Sequence, residues 1–452
     1  MKHRPEYHFM PEKNWMNDPN GPIFFNGEYH LFYQHNPTDW HWGNLHWGHA
    51  TSKDLLHWEH KPIALYPDKA RGESHCYSGC CYVHEGKPEL FYTSIGPARS
   101  QVDAAEQWVA TTEDMVTWKQ IPQNPVLSSA DHHGFTLTEW RDPFVFTYRE
   151  QRYMVMGGVV DGRHGAIHLY RSSDMRRWEY LSAFYQDDAA TLYECPNVVV
   201  FGDKLVLLRS IMGKRNLRYY VGTMNERYQF EKIAEGDVDF GEFFASNISY
   251  TPEGEAILWV WCREDLRNEV YTDGPWAGAL AIPRMLRLDE NNIVHFERLP
   301  GLEAARKGKE VFAKAGFEGE HPFELRTTTC EIELDIETKG DFSIRLLASG
   351  VGREHTDVVF SPASGAFTVD LSQSTLMPEI DTRPIKGKLL PPEDNKYHVN
   401  ILVDNSIIEV FVNGTACLTA RAYPVQQDSD GIALICQGKA ERVEMALYEI
   451  SL

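Results

Sequence analysis

The 452-residue sequence contains no stretch approaching the ~20 consecutive apolar residues of a membrane span, and its opening, Met1 to Asn14, lacks the apolar core of a secretory signal. Basic residues are scarce. With 44 Lys and Arg against 65 Asp and Glu the net charge is −21, which disfavours nucleic acid and anionic membrane surfaces as partners. The eight cysteines (Cys76, Cys80, Cys81, Cys195, Cys262, Cys330, Cys417 and Cys436) are scattered, with no C-x2-C pair, so reduced thiols and a cytoplasmic setting are expected. Cys76, Cys80 and Cys81 cluster, but adjacent residues of a strand point to opposite faces, and His41, His46 and His49 lack the spacing of a helical metal site. Neither a metal nor a cofactor is expected. There is no long low-complexity tract, and 42% hydrophobic with 12% aromatic residues supply ample material for burial, which excludes a disordered chain.

What is present is a repeat. SKDLLHW, TEDMVTW and SSDMRRW begin at residues 52, 112 and 172, a period of 60, and share a hydroxyl, an Asp, an apolar residue and a Trp. Around them recurs a pair of apolar runs separated by a turn: Pro22 to Gln34, Cys80 to Thr93, Pro143 to Gly158, Pro196 to Ser210 and Asn247 to Trp261. Five such units, spaced by roughly 50 to 65 residues, predict a five-bladed β-propeller over residues 1–300 rather than an elongated sandwich. The repeat tryptophans Trp58, Trp118 and Trp178 are then core. A single core does not grow far past ~300 residues, so a second domain is expected. Residues 301–322 hold Gly, Lys and Ala and read as a linker with a short helical stretch. From 323 to 452, six or more short alternating strands predict a β-sandwich.

The five units open on Asn17-Asp18-Pro19, Tyr77-Ser78-Gly79, Arg141-Asp142-Pro143, Glu194-Cys195-Pro196 and Ala245-Ser246-Asn247. The first strands of a propeller line its central channel, so equivalent positions at their starts meet around one mouth. Asp18, Asp142 and Glu194 are thereby brought together, and proline suits an edge strand beside an open channel. A lone Asp is usually a turn cap. Three convergent acids instead require a metal, a proton or a substrate charge to offset their repulsion, and glycoside hydrolysis uses such a set: one carboxylate attacks, one protonates the leaving oxygen, and a third opposes an oxocarbenium-like charge. The segment Tyr33 to Ala50 adds Trp40, Trp42 and Trp47 with amides, a mixture suited to stacking on a sugar and bonding its hydroxyls.

At these residues the chain resembles glycoside hydrolase family 32, the invertase, inulinase and levanase family. Trp15-Met16-Asn17-Asp18-Pro19-Asn20-Gly21 looks like its nucleophile motif, Arg141-Asp142-Pro143 its transition-state motif and Glu194-Cys195-Pro196 its acid/base motif. The resemblance spans nearly the whole chain and implies a propeller joined to a sandwich. It also implies that Asp18 is the nucleophile, Glu194 the acid/base and Asp142, helped by Arg141, the stabiliser of the transition state. By the same resemblance Asn17, Gln34, Trp42, Trp47, Tyr77 and Ser78 wall the fructosyl subsite and Trp276 lies toward the leaving group. The sequence departs from the common pattern at Tyr77-Ser78-Gly79-Cys80 and at Glu242-Phe243-Phe244-Ala245. The expected activity is retaining, exo-acting hydrolysis of sucrose or short fructo-oligosaccharides. Its rivals are a fructosyltransferase, a sucrose-6-phosphate hydrolase, a family 43 arabinanase, and a non-catalytic sugar-binding protein, which would be expected to have lost one acid. The expected partner is a small sugar.

Overall fold

The computed structural model describes residues 2–97, 104–132, 135–160, 162, 164–187, 191–213, 217–263, 274–298, 300–390, 392 and 394–452. Four antiparallel strands make each of five blades. Blade 1 runs from Asn14–Phe25 through Glu28–Asn36 and His46–Ser52 to Glu59–Leu65. Blade 2 spans His75–His84 to Trp118–Gln120, blade 3 Leu137–Tyr148 to Glu179–Gln186, and blade 4 Tyr193–Phe201 to Phe230–Asp237. Blade 5 is built on Phe243–Tyr250, Ala256–Cys262, Arg284–Leu288 and Val294–Arg298. The first strands of successive blades pack side by side, and the ring closes between blades 5 and 1.

The motif that recurs every 60 residues is the corner between third and fourth strands. Ser52, Thr112 and Ser172 accept the N–H of Leu55, Met115 and Met175 through their hydroxyls, at 2.8, 2.9 and 2.9 Å. Asp54, Asp114 and Asp174 accept the next backbone donors, a side-chain mimic of a turn. Leu55, Met115 and Met175 sit at φ of 67°, 62° and 60°, so the capped hydroxyl and carboxylate hold a left-handed residue that would otherwise favour glycine. Each copy thus throws its Trp back against the blade: Trp118 and Trp178 are buried, and Trp58 meets Phe9 and Trp259 edge-on.

The second unit is one continuous ten-stranded ladder folded into two layers around Ile332, Leu334, Ile344, Val358, Val399 and Val410. Its longest strand, Gly431–Ile450, pairs with Phe342–Ala348 at one end and Thr329–Glu337 at the other. The expected linker is corrected here. After one 3-10 turn at Leu302–Ala305, Arg306–Pro322 forms a 17-residue strand along Gly431–Ile450. Lys and Glu on its outward face conceal the alternation, because an edge strand presents one side to water.

A buried chain of charges joins the two units. His8 Nδ1 meets Asp404 at 2.8 Å and its Nε2 meets Glu409 at 2.8 Å; the other oxygen of Glu409 meets Arg284 at 2.7 Å, and Arg284 meets Asp239 at 3.0 Å, with every one of these side chains essentially sealed from solvent. Burial alone would hold His8 neutral, yet the two carboxylates raise it to about 9. Asp404 also accepts the backbone N–H groups of Glu6, Tyr7 and His8, so the segment leading into blade 1 rides on the second unit. Blades 5 and 1 touch through a two-residue parallel pairing, Asn14 to Trp276 and Trp15 to Ala277.

Candidate active site

Every first strand carries one extra residue at the channel mouth. In blade 1 Met16 faces His35 and Pro19 faces Tyr33, so Asn17 and Asp18 together oppose Gln34. Tyr77 and Ser78 share Thr93 in blade 2, Asp142 and Pro143 share Met156 in blade 3, and Cys195 and Pro196 share Arg209 in blade 4. Ala245 is the extra residue in blade 5. A bulge bends its strand and re-aims the side chains beside it, which turns them into the channel. Asp142, Cys195 and Ala245 adopt φ of 64°, 46° and 54°, the left-handed geometry of such a kink.

The acids do converge on one mouth, but not from equivalent strand starts. They lie within the strands and in three registers: Glu194 is the last residue before its bulge, Asp142 the first residue of its own, and Asp18 the second. Each blade therefore presents its acid from a different angle, which is how three carboxylates can surround one ligand rather than stack.

A cavity of about 390 Å³ opens over them, lined by Asp18, Asp142 and Glu194 together with Asn17, Gln34, Trp42, Tyr77, Ser78 and Arg141. Asp18 receives Asn17 Nδ2 at 2.8 Å on one oxygen and the Ser78 hydroxyl at 2.5 Å on the other, with the Cys195 thiol 3.5 Å away. Arg141 Nη2 and Nε reach Glu194 Oε1 at 2.8 and 3.3 Å, while Nη1 lies 2.5 Å from Glu139. Glu194 Oε2 has no hydrogen-bond partner among the described residues. Burial pushes the Glu194 carboxyl above the usual range, against the pull of Arg141. Asp142 is pushed up to about 7, first by burial and then by the charges of Glu194 and Asp18, with Arg141 and the Cys195 N–H opposing.

Two expected substrate contacts are corrected. Trp47 is completely buried, donates its Nε1 to the Tyr77 carbonyl at 3.0 Å and packs edge-on against Tyr92, so it supports the wall from behind. Trp276 is likewise completely buried, in the strand that closes the ring, and does not line the cavity. Trp42, by contrast, is 53% exposed beside Tyr77. Sequence reasoning missed the opposite wall: Phe244, Trp261 and Arg263 of blade 5 with Met212 of blade 4. The Arg263 guanidinium lies over the Phe244 and Trp261 rings, 5.0 and 5.6 Å from their centroids. The signal for Phe244 was its place just before Ala245, the register that Glu194 holds before Cys195 in blade 4.

A propeller that gathers three carboxylates of unequal environment at its channel mouth, one bonded to two donors and another pushed above its ordinary pKa by burial, has the site of a glycoside hydrolase. The model of the glycosyl hydrolases family 32 N-terminal domain matches residues 8–296, and that of the family's C-terminal domain matches residues 301–449. The chain belongs to glycoside hydrolase family 32. It is 30% identical over 473 residues to a sucrose-6-phosphate hydrolase of Zymomonas mobilis, covering 96% of this chain and 90% of that one. It is 28% identical over 499 residues to a β-fructofuranosidase, insoluble isoenzyme, of Arabidopsis thaliana, covering 93% of this chain and 85% of that one. Among solved structures, exo-inulinase from Aspergillus awamori superposes with a TM-score of 0.85 at 25% identity, covering 99% of this chain and 98% of that one.

Proposed function

We propose that the protein is a retaining, exo-acting β-fructofuranosidase that hydrolyses terminal β-D-fructofuranosyl residues of sucrose or short fructo-oligosaccharides. The observation that carries the reading is the contrast between Asp18, bonded to two donors, and Glu194, partly buried with one oxygen held by Arg141 and the other without a partner among the described residues. Asp18 attacks the anomeric carbon while Glu194 passes its proton from Oε2 to the departing oxygen, leaving a fructosyl ester on Asp18. Glu194, now a carboxylate beside Arg141, takes a proton from water, and the resulting hydroxide equivalent releases fructose with its configuration retained. Asp142 accepts hydroxyls of the fructosyl ring and opposes the positive charge of the transition state. The roles of nucleophile and acid require the two carboxyl groups to stand ~5 to 5.5 Å apart.

Product analysis with sucrose, sucrose phosphate, inulin and levan in parallel tests this. Equal fructose and glucose from sucrose is expected. Glucose in excess of free fructose identifies a fructosyltransferase, and oligosaccharides as first products from levan rule out exo action. A phosphorylated leaving group is the second reading. Arg263, whose guanidinium lies over Phe244 and Trp261 in the cavity wall, is a side chain of the kind that recognises phosphate, and the Zymomonas relative is a sucrose-6-phosphate hydrolase. A kcat/KM for sucrose phosphate more than about tenfold above that for sucrose, reduced by Arg263→Met, selects that reading.

A further inference from the structure

The peptide N–H of Asp142 is buried beneath the cavity floor. Among the described residues its acceptor is Thr93 Oγ1 at 3.1 Å, contributed by the second strand of the neighbouring blade. Thr93 is completely buried, and its own proton goes to Gln107 Oε1 at 2.8 Å; Gln107 Nε2 lies 3.5 Å from the carbonyl of Trp140, two residues before Asp142. On its far side Asp142 Oδ2 accepts the N–H of the peptide that joins Glu194 to Cys195, at 3.0 Å. A single line of hydrogen bonds thus runs from Gln107 through Thr93 and Asp142 to the backbone of Glu194, crossing blades 2, 3 and 4.

We infer that Thr93 is a positioning residue for the reaction: its hydroxyl holds the left-handed turn at Asp142 and, through the Asp142 carboxylate, the peptide that aims Glu194. A non-glycine residue at φ 64° keeps that conformation only while its surroundings over-determine it, and the hydroxyl is the one polar partner of the turn's N–H among the described residues. Blade 5 repeats the device without an acid, Ser210 Oγ accepting the N–H of Ala245 at 2.9 Å and φ 54°. In blade 4 the cap on the kinked N–H is Asp142 itself. Thr93 is out of reach of a ligand, with no part in the cavity lining, so it acts entirely through the residue it bonds.

The inference rests on the roles proposed above for Asp142 and Glu194, and its test separates the two. Thr93→Val keeps the shape and removes the hydroxyl; it is expected to lower kcat/KM for sucrose by about 10- to 100-fold, the scale of a misplacement near 1 Å, and Thr93→Ser to restore it to within about threefold. Placed on Asp142→Asn, Thr93→Val is expected to add less than about a threefold further loss, because both act on one element. Equal losses in both backgrounds, or wild-type kinetics for Thr93→Val, overturn the inference. Should Thr93→Val fail to fold, Gln107→Leu, which cuts the same line one bond further out, is expected to give a smaller loss of the same kind, and its absence is equally decisive. A crystal structure of Thr93→Val reads the matter without substrate: residue 142 leaves the left-handed region, and an unmoved Asp142 refutes the positioning role. Wild-type enzyme inactive on every fructoside, with that structure nonetheless altered, faults the proposed activity and not the role of Thr93.

Discussion

Replacing Asp142 by Asn is expected to cripple the enzyme while making it harder to unfold, and the gain should depend on pH. In the folded protein the Asp142 carboxyl is pushed up to about 7, against 3.8 for an ordinary Asp. A shift of about 3 units corresponds to ~4 kcal/mol of strain against the ionised form. A carboxylate raised in this way keeps its proton in the folded state while the unfolded chain has released it, so stability falls as pH rises from about 4 to about 7 and is level above that. The amide escapes this loss and retains an oxygen for the Cys195 N–H. It buries an NH₂ group in exchange, which gives back ~1 to 2 kcal/mol, leaving a net gain of ~2 to 3 kcal/mol above pH 7. For a propeller of roughly 290 residues, with an unfolding entropy near 0.6 kcal/mol/K, that is a rise in Tm of about 3 to 5 °C. Scanning calorimetry on both proteins at pH 8 and pH 4.5 should show the rise at pH 8 and its disappearance or reversal at pH 4.5, with sucrose hydrolysis lost by at least about 100-fold. A variant less stable than wild type at pH 8, or a difference that does not change with pH, would mean that charge crowding at Asp142 has been misread.

Glu194→Gln is expected to reduce kcat by about 10²- to 10⁴-fold, and Asp18→Asn by at least as much, with far-UV circular dichroism unchanged; near-normal turnover in either removes its assigned role. His8→Gln should lower Tm at pH 6 but progressively less toward pH 10: His8 is raised above its unfolded value, so its contribution is complete below about 6.5 and is lost as pH rises through about 9. A Tm deficit that stays constant over that range contradicts a charged His8. Trp42→Ala should raise KM with little change in Tm, whereas Trp47→Ala should cost ~3 to 5 kcal/mol of stability, because one ring is exposed at the mouth and the other is core.

Local chemistry was readable along the chain where it repeats. Three acids next to Pro or Cys-Pro at matching places in units 1, 3 and 4 predict a shared mouth, and the five paired apolar runs predict the blade count. Register was not readable, since a bulge changes which residue faces the channel without changing composition, and so the acids appeared equivalent when they occupy three positions. Trp47 and Trp276 show the same limit for aromatics: both faces of a blade strand are covered by neighbours, so a Trp near a motif is as well placed for the core as for the cavity. The strand Arg306–Pro322 was hidden by its charged outer face. The chain of charges from His8 to Asp239 left no local trace, because its members are separated by as much as 401 residues along the sequence.

That separation sets an order on the making of the protein. The segment that leads into the strand of Asp18 leaves a ribosome well before Asp404 and Glu409, which fix it, because about 400 residues separate them. During synthesis the earlier blades have neighbours to fold against, yet blade 1 waits with one flank bare and His8 beside no carboxylate partner from the second unit. Until residues near 409 arrive, the ring has every blade and the Asn14 to Trp276 pairing but not the carboxylates that fix the segment ahead of Asp18, and a nascent chain arrested at the end of blade 5 is expected to hold three acids that have not yet become a site.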